Sequence, residues 1–149
     1  MRIFRLCERR YSASVLSGAG GLEFDGRWHT QGRRIVYCAS NEALAVLEVR
    51  VHAGRFILRV PFTMHEIELP DDTVELLPKN DLPQHWSRAS HPRSTQALGD
   101  AWLEKNLSLA LRVPSIHSHS DSNVLINPAH AEARLVKVVA KRPYNFDPR

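Results

Sequence analysis

The sequence predicts one mixed α/β (α+β) domain, a single compact unit with a mixed β-sheet core and flanking helices. Three observations carry that reading. A chain of 149 residues fits one domain with one proper core. Short alternating or continuous apolar runs recur along it, and two longer stretches keep helical spacing. No internal repeat or shift of composition marks a boundary, so residues 1–149 are read as one domain.

Residues 2–7 alternate polar and apolar side chains (Arg2, Ile3, Phe4, Arg5, Leu6) and read as a first strand. Residues 8–26 hold Ser12, Ser14, Ser17, Gly18, Gly20, Gly21 and Gly26, and read as a long irregular loop of a kind that is often functional. These glycines make no dinucleotide fingerprint, because the third glycine is missing and no helix pattern follows. Residues 35–39 read as a short buried strand. Ser40 is placed to cap the helix that follows, Glu42 suits its first turn, and Gly54 suits its end. Ala43, Leu44, Leu47 and Val51 give that helix its apolar spacing, while Glu48 and His52, four apart, share a face.

Residues 55–62 read as a strand, with Pro61 at its edge or end, and residues 65–69 as another. Four prolines (Pro70, Pro78, Pro83, Pro92) make residues 70–93 linker-like, with a short helical turn near 82–86. Ser94 is placed to cap a second helix reaching about residue 106, with Ala97, Leu98, Ala101 and Trp102 on one face. Strands at 108–113, 123–126 and 135–140 follow, and the tail from 142 shows no periodicity.

Composition narrows the function classes. No apolar run approaches the ~20 residues of a membrane-spanning helix, and the first residues show no secretory h-region. Cys7 and Cys38 are too few for a disulfide framework and read as reduced core thiols of a cytoplasmic protein. A formal charge of +4 and a pI near 9.4 permit an anionic ligand. The basic residues come in scattered pairs rather than in an arm, and aromatics are not interleaved with them as a stacking platform requires. Eight histidines raise the question of a metal, but His117-x-His119 has no third ligand at a convincing spacing, and HExxH and CxxC are absent. No metal is expected. Ser115 follows Pro114 at a strand end without a G-x-S-x-G elbow, so a turn or cap role suits it equally well.

Residues 24–52 read as a site. Gly26 and Gly32 let the backbone approach a ligand, and the Arg27 guanidinium suits phosphate or carboxylate; its alternative is a local pair with Asp25. Tyr37 lies in a strand, where core and site are both open to it. Glu48 flanks the apolar stripe of its helix, a costly place for a carboxylate unless it is paired or used. Arginine, tyrosine and glutamate thus come from elements with almost no slack between them.

This ordered set resembles the RES domain family: Gly26-Arg27-Trp28, Gly32, Val36-Tyr37, Ala45, Glu48 and His52, then Val113-Pro114-Ser115, the run Asn123 to Pro128, and His130. The likeness covers nearly the whole chain and departs from the family at Ala131, where proline is expected. The resemblance implies a fold like that of ADP-ribosyltransferases. It implies a toxin of a bacterial toxin–antitoxin pair that depletes NAD+ by hydrolysis or phosphorolysis of the nicotinamide–ribose bond, or transfers ADP-ribose to a protein. NAD+ is then substrate, with no metal. The expected partner is an antitoxin with an Xre-like helix-turn-helix domain that covers the pocket, in a larger complex containing a toxin homodimer and touching DNA only through the antitoxin. Residue by residue, the implied catalytic set is Arg27, Tyr37, Glu48 and Ser115. The implied ligand-binding set adds Trp28, His52 and Asn127. A basic nucleic-acid-binding or RNA-cleaving module is the reading from another class, resting on the pI alone; it predicts strongly salt-dependent binding.

Overall fold

The computed structural model describes residues 1–148. Its strands are β1 (Arg2–Glu8), β2 (Val36–Ala39), β3 (Phe62–Glu68), β4 (Val74–Leu76), β5 (Ala110–Pro114), β6 (Ser122–Ile126) and β7 (Lys137–Tyr144). They form one seven-stranded sheet in the order β4-β5-β6-β2-β1-β3-β7. Every neighbouring pair is antiparallel except β4–β5, which is parallel, so the sheet is mixed as the sequence predicts. The helices are α1 (Gly20–Glu23), α2 (Glu42–Ala53) and α3 (Arg93–Lys105).

Alternation along each strand sorts the side chains between two faces. Ile3, Val36, Cys38, Ile67, Val124 and Ile126 pack together on one of them. On the other, Leu6, Ala39, Phe62 and Met64 meet Leu44 and Ala45 of α2. Farther along the same side, Leu111, Val113 and Leu125 meet Trp28 and Trp102. The register sets Tyr37 opposite Leu125 and Ala39 opposite Asn123, which puts Tyr37 and Asn123 on the side of the sheet that carries α2.

The central ladder is incomplete. β1 and β2 share only the Phe4–Ala39 pair, whereas β1 pairs with β3 along its whole length. Arg5 spans the gap by donating from Nη1 to the Tyr37 carbonyl at 2.6 Å.

Several local expectations are corrected. Residues 9–14 form a 3₁₀ helix and Gly20–Glu23 a helical turn, so the first loop is largely ordered by local hydrogen bonds. Asn41, not Ser40, caps α2: its side-chain oxygen accepts from Leu44 N at 2.8 Å, and Ser40 Oγ instead accepts from Ser122 N at 3.1 Å. α2 buries Leu44 and Ala45, leaving Ala43, Leu47 and Val51 exposed. Residues 54–59 form a 3₁₀ helix in which only Ile57 is buried, and a single strand, β3, begins after Pro61. The apolar run Phe56-Ile57-Leu58 suited a strand equally well; what decides against it is that no neighbour pairs with it. The proline-rich segment contains β4, whose partner β5 lies more than thirty residues downstream and leaves no local signal. Ser94 lies inside α3, whose N-cap is Pro92. The buried face of α3 is Thr95, Gln96, Gly99 and Trp102, rotated from the expected one. β7 runs on to Tyr144 through the tail expected to be irregular.

Candidate active site

Residues 24–32 close into a tight loop through a Gly26–His29 bridge, with Gly26 N donating to His29 O at 3.0 Å. The Tyr37 hydroxyl holds this loop from the sheet. It accepts from Trp28 N at 3.2 Å and lies 2.8 Å from His29 Nδ1. His29 Nε2 is 2.9 Å from the Phe24 carbonyl, which can only accept. The proton therefore sits on Nε2, and the Tyr37 O–H donates to Nδ1. Burial lowers the proton affinity of His29 and keeps the ring neutral, while burial raises the Tyr37 phenol and keeps it protonated. A Cβ on Gly26 would stand 2.7 Å from the Tyr37 hydroxyl and 2.9 Å from the His29 ring, so only glycine fits this approach.

The loop presents Arg27 to a cavity and anchors Trp28 in the core. Trp28 is fully buried and sits 6.4 Å from the Trp86 ring. Arg27 forms no salt bridge with Asp25. Its Nη1 donates to the Trp86 carbonyl at 2.7 Å, and Asp25 takes a hydrogen bond from Gln96 at 3.1 Å instead. Asp25 is thus tied to α3 rather than paired with the guanidinium. Burial lowers the Arg27 pKa from its ordinary value, against the pull of Glu48 and Tyr37, yet the group keeps its charge at neutral pH.

Across the cavity, Glu48 projects from α2. Its Oε1 accepts from Asn123 Nδ2 at 2.8 Å and from Ser115 Oγ at 3.3 Å. Its Oε2 faces His117 Nε2 at 3.7 Å, beyond hydrogen-bonding reach. Ser115 Oγ also accepts from His117 N at 3.0 Å, so one hydroxyl ties the strand-end loop to the carboxylate. His52 points its Nδ1 at the Glu48 carbonyl, 2.7 Å away, which satisfies that nitrogen within the helix.

Arg27, Trp28, Tyr37, Glu48 and His52 all line one cavity of about 410 Å³, together with Asn123, His117, Asp25 and His91. Ser115 stands behind Glu48, and Asn127 lies elsewhere. The Asn127 amide donates to Asn106 Oδ1 at 2.8 Å and its oxygen accepts from Ala129 N at 3.0 Å, which closes the turn after β6. Among the described residues no group of three or more metal-ligating side chains converges. Asn123, His29 and His117 were missed by sequence reasoning as site residues. Strand alternation was the available signal for Asn123, since it shares a face with Leu125; the His117-x-His119 pattern raised only the question of a metal, and nothing local marks His29.

The RES domain model matches residues 2–147. A protein named "Toxin Res" from Yersinia enterocolitica is 35% identical over 100% of this chain and 99% of its own. A "Prs ADP-ribosylating toxin" from Sphingobium is 38% identical over 95% of this chain and 89% of its own. In fold, the chain is similar to one in the crystal structure of the M. tuberculosis MbcT–MbcA toxin–antitoxin complex, with a TM-score of 0.79 at 17% identity, covering 97% of this chain and 84% of that one. With a family model spanning almost every residue and relatives aligned end to end, the chain belongs to the RES domain family.

Proposed function

We propose that the protein is the toxin of a bacterial toxin–antitoxin pair and that it cleaves the nicotinamide–ribose bond of NAD+. The observation that carries the reading is the placement of the Arg27 guanidinium, the Tyr37 phenol and the Glu48 carboxylate around a single cavity. Its volume of about 410 Å³ lies in the usual range for small-molecule sites, roughly 300–1,000 Å³.

Breaking this bond passes through an oxocarbenium-like state, as in glycoside hydrolysis. The nicotinamide leaves from a cationic ring, so no general acid is required. The site must instead fix the ribose and hold negative charge beside it. Glu48 does both: its Oε1 is pinned by Asn123 and Ser115, and the carboxylate stabilises the developing cation. Arg27 binds the pyrophosphate by charge-assisted hydrogen bonds. The ring of Tyr37 packs against nicotinamide with Trp28 behind it, and His52 completes the wall. Ser115 orients Glu48 rather than attacking. Asn127 contributes through the turn it closes, not through the ligand.

The bond-breaking step is common to several acceptors. Water or phosphate gives NAD+ depletion. A protein acceptor gives ADP-ribosylation, a second reading favoured by the name of the Sphingobium relative. Labelled NAD+ separates them by whether label ends on protein. An antitoxin partner belongs to the same reading; we take it to be Xre-like, to cover the cavity and to carry the only DNA contact, within a cytoplasmic complex built on a toxin homodimer. The apolar side chains Leu47, Val51, Phe56 and Leu58, exposed on and after α2, suit such burial.

A time course of NAD+ after induced expression tests the proposal. Glu48→Gln keeps shape and removes charge, and is expected to slow NAD+ loss by on the order of 10²–10³-fold. Arg27→Ala is expected to slow it as well, chiefly by weakening binding. Undiminished NAD+ loss with Glu48→Gln refutes the role given to the carboxylate.

A further inference from the structure

We propose that His117 determines substrate specificity in this cavity: its Nε2 and the free oxygen of Glu48 form a two-point seat for the vicinal diol of a ribose. The inference rests on the NAD+-cleaving reading and adds to it a residue outside that ligand set.

Among the described residues, only Arg5 Nε and His117 Nε2 are buried side-chain polar atoms without a hydrogen-bond partner in the protein. Arg5 uses Nη1 to bridge the sheet, which accounts for its burial. His117 Nε2 has no such task. It lines the cavity and is held 3.7 Å from Glu48 Oε2. Neither group can close that distance easily. Glu48 is fixed through Oε1 by Asn123 and Ser115, and the backbone of His117 is fixed by the same Ser115 hydroxyl at 3.0 Å. The His52 ring stands edge-on to that of His117 at 6.3 Å and is itself clamped to the Glu48 carbonyl.

Two hydrogen-bonding atoms so held, too far apart to bond each other, suit a ligand with two adjacent polar oxygens. In a cis-diol the oxygens lie closer together than 3.7 Å, so each reaches one of these atoms with a bond of ordinary length, roughly 2.7–2.9 Å. The polarity fits too. The carboxylate only accepts, so one hydroxyl donates to Oε2. The imidazole accepts or donates according to its tautomer, and the second hydroxyl answers either. A deoxy sugar leaves one of the two atoms buried and unpaired, which is how a polar site rejects an analogue. The substrate class this selects is a ribonucleotide rather than a deoxyribonucleotide.

The test is steady-state NAD+ cleavage by purified wild type, His117→Phe and His117→Gln, each also given NAD+ analogues lacking the 2′- or the 3′-hydroxyl of the nicotinamide ribose. Phe keeps ring volume and loses the hydrogen bond; Gln returns a polar group at similar reach. His117→Phe is expected to raise KM for NAD+ about tenfold with a smaller change in kcat. His117→Gln should recover most of the loss. For one of the two deoxy analogues, wild type and His117→Phe should become equal. An unchanged KM in His117→Phe, or the same penalty on NAD+ and on both analogues, overturns the proposal while leaving NAD+ cleavage intact. Absence of NAD+ loss with wild type overturns the parent reading, and this one with it.

Discussion

The Tyr37 hydroxyl makes two hydrogen bonds, both to the loop that carries Arg27. Tyr37→Phe therefore removes a brace while keeping the ring. The expected cost is about 1–3 kcal/mol of stability, since Trp28 N and His29 Nδ1 both lose a buried partner. Denaturant titration beside NAD+ turnover would show stability and activity falling together. His29 makes the same brace sensitive to pH. Burial depresses its folded pKa below the ordinary ~6.5, so on acidification the unfolded chain takes up the proton first. The stability that neutral His29 contributes is present above about pH 6.5 and is lost as pH falls through the folded value. The thermal midpoint should drop below that pH, and His29→Gln should flatten part of the drop; His65 and His91, lowered by burial in the same direction, contribute to it as well. At this scale Arg27 stood out in the sequence through the glycines beside it and Glu48 through its place beside an apolar helix stripe, whereas Tyr37 stayed open between core and site; all three line the cavity. The role of His117 was not legible, because Glu48 faces it from a helix more than sixty residues away, and that of His29 was not, because Phe24 and Tyr37 reach its ring only once the loop has folded over the strand.

α3 and the Arg27 loop meet without a spacer. A Cβ on Gly99 would stand 1.7 Å from the Trp28 carbonyl oxygen, a backbone atom that cannot step aside. Gly99→Ala is expected to destabilise by about 3 kcal/mol or more, at the upper end of overpacking costs. Gly20→Ala, where the added Cβ meets nothing within 4 Å, serves as the near-neutral control. Chemical denaturation of the two variants tests the contrast. α2 and α3 were legible as elements because each runs for a dozen residues or more with apolar recurrence. Their buried faces were not. In α3 the core side includes Thr95, Gln96 and Gly99, chosen by close packing and by hydrogen bonds to Asp25 and Gly26 rather than by hydrophobicity. β4 and the 3₁₀ helix after α2 escaped notice for a related reason. Segments of three and six residues take their conformation from what they touch, which no local pattern encodes.

For the whole molecule, the strand order places β3 between β1 and β7, with β7 as the exposed outer strand. A chain ending at residue 136 would leave β3, with buried Phe62, Met64 and Ile67, as an open edge. Such a truncation is expected to aggregate or to lose cooperative unfolding, which sedimentation and circular dichroism would detect. The mixed sheet with flanking helices was legible from the alternation of strand-like and helix-like segments, whereas the strand order was not, because it depends on pairings between distant parts of the chain. That order also locates a weakness at the centre. β1 and β2 meet in one pair and are otherwise bridged by Arg5, directly beneath the cavity. Protection of amide protons should consequently dip along this inner seam while staying high between β1 and β3, an inversion of the usual rule that sheets fray from their margins. A ligand seated above the seam would then act as a rivet, and slowed deuterium uptake at Tyr37 and Cys38 on adding a non-hydrolysable dinucleotide would be its signature.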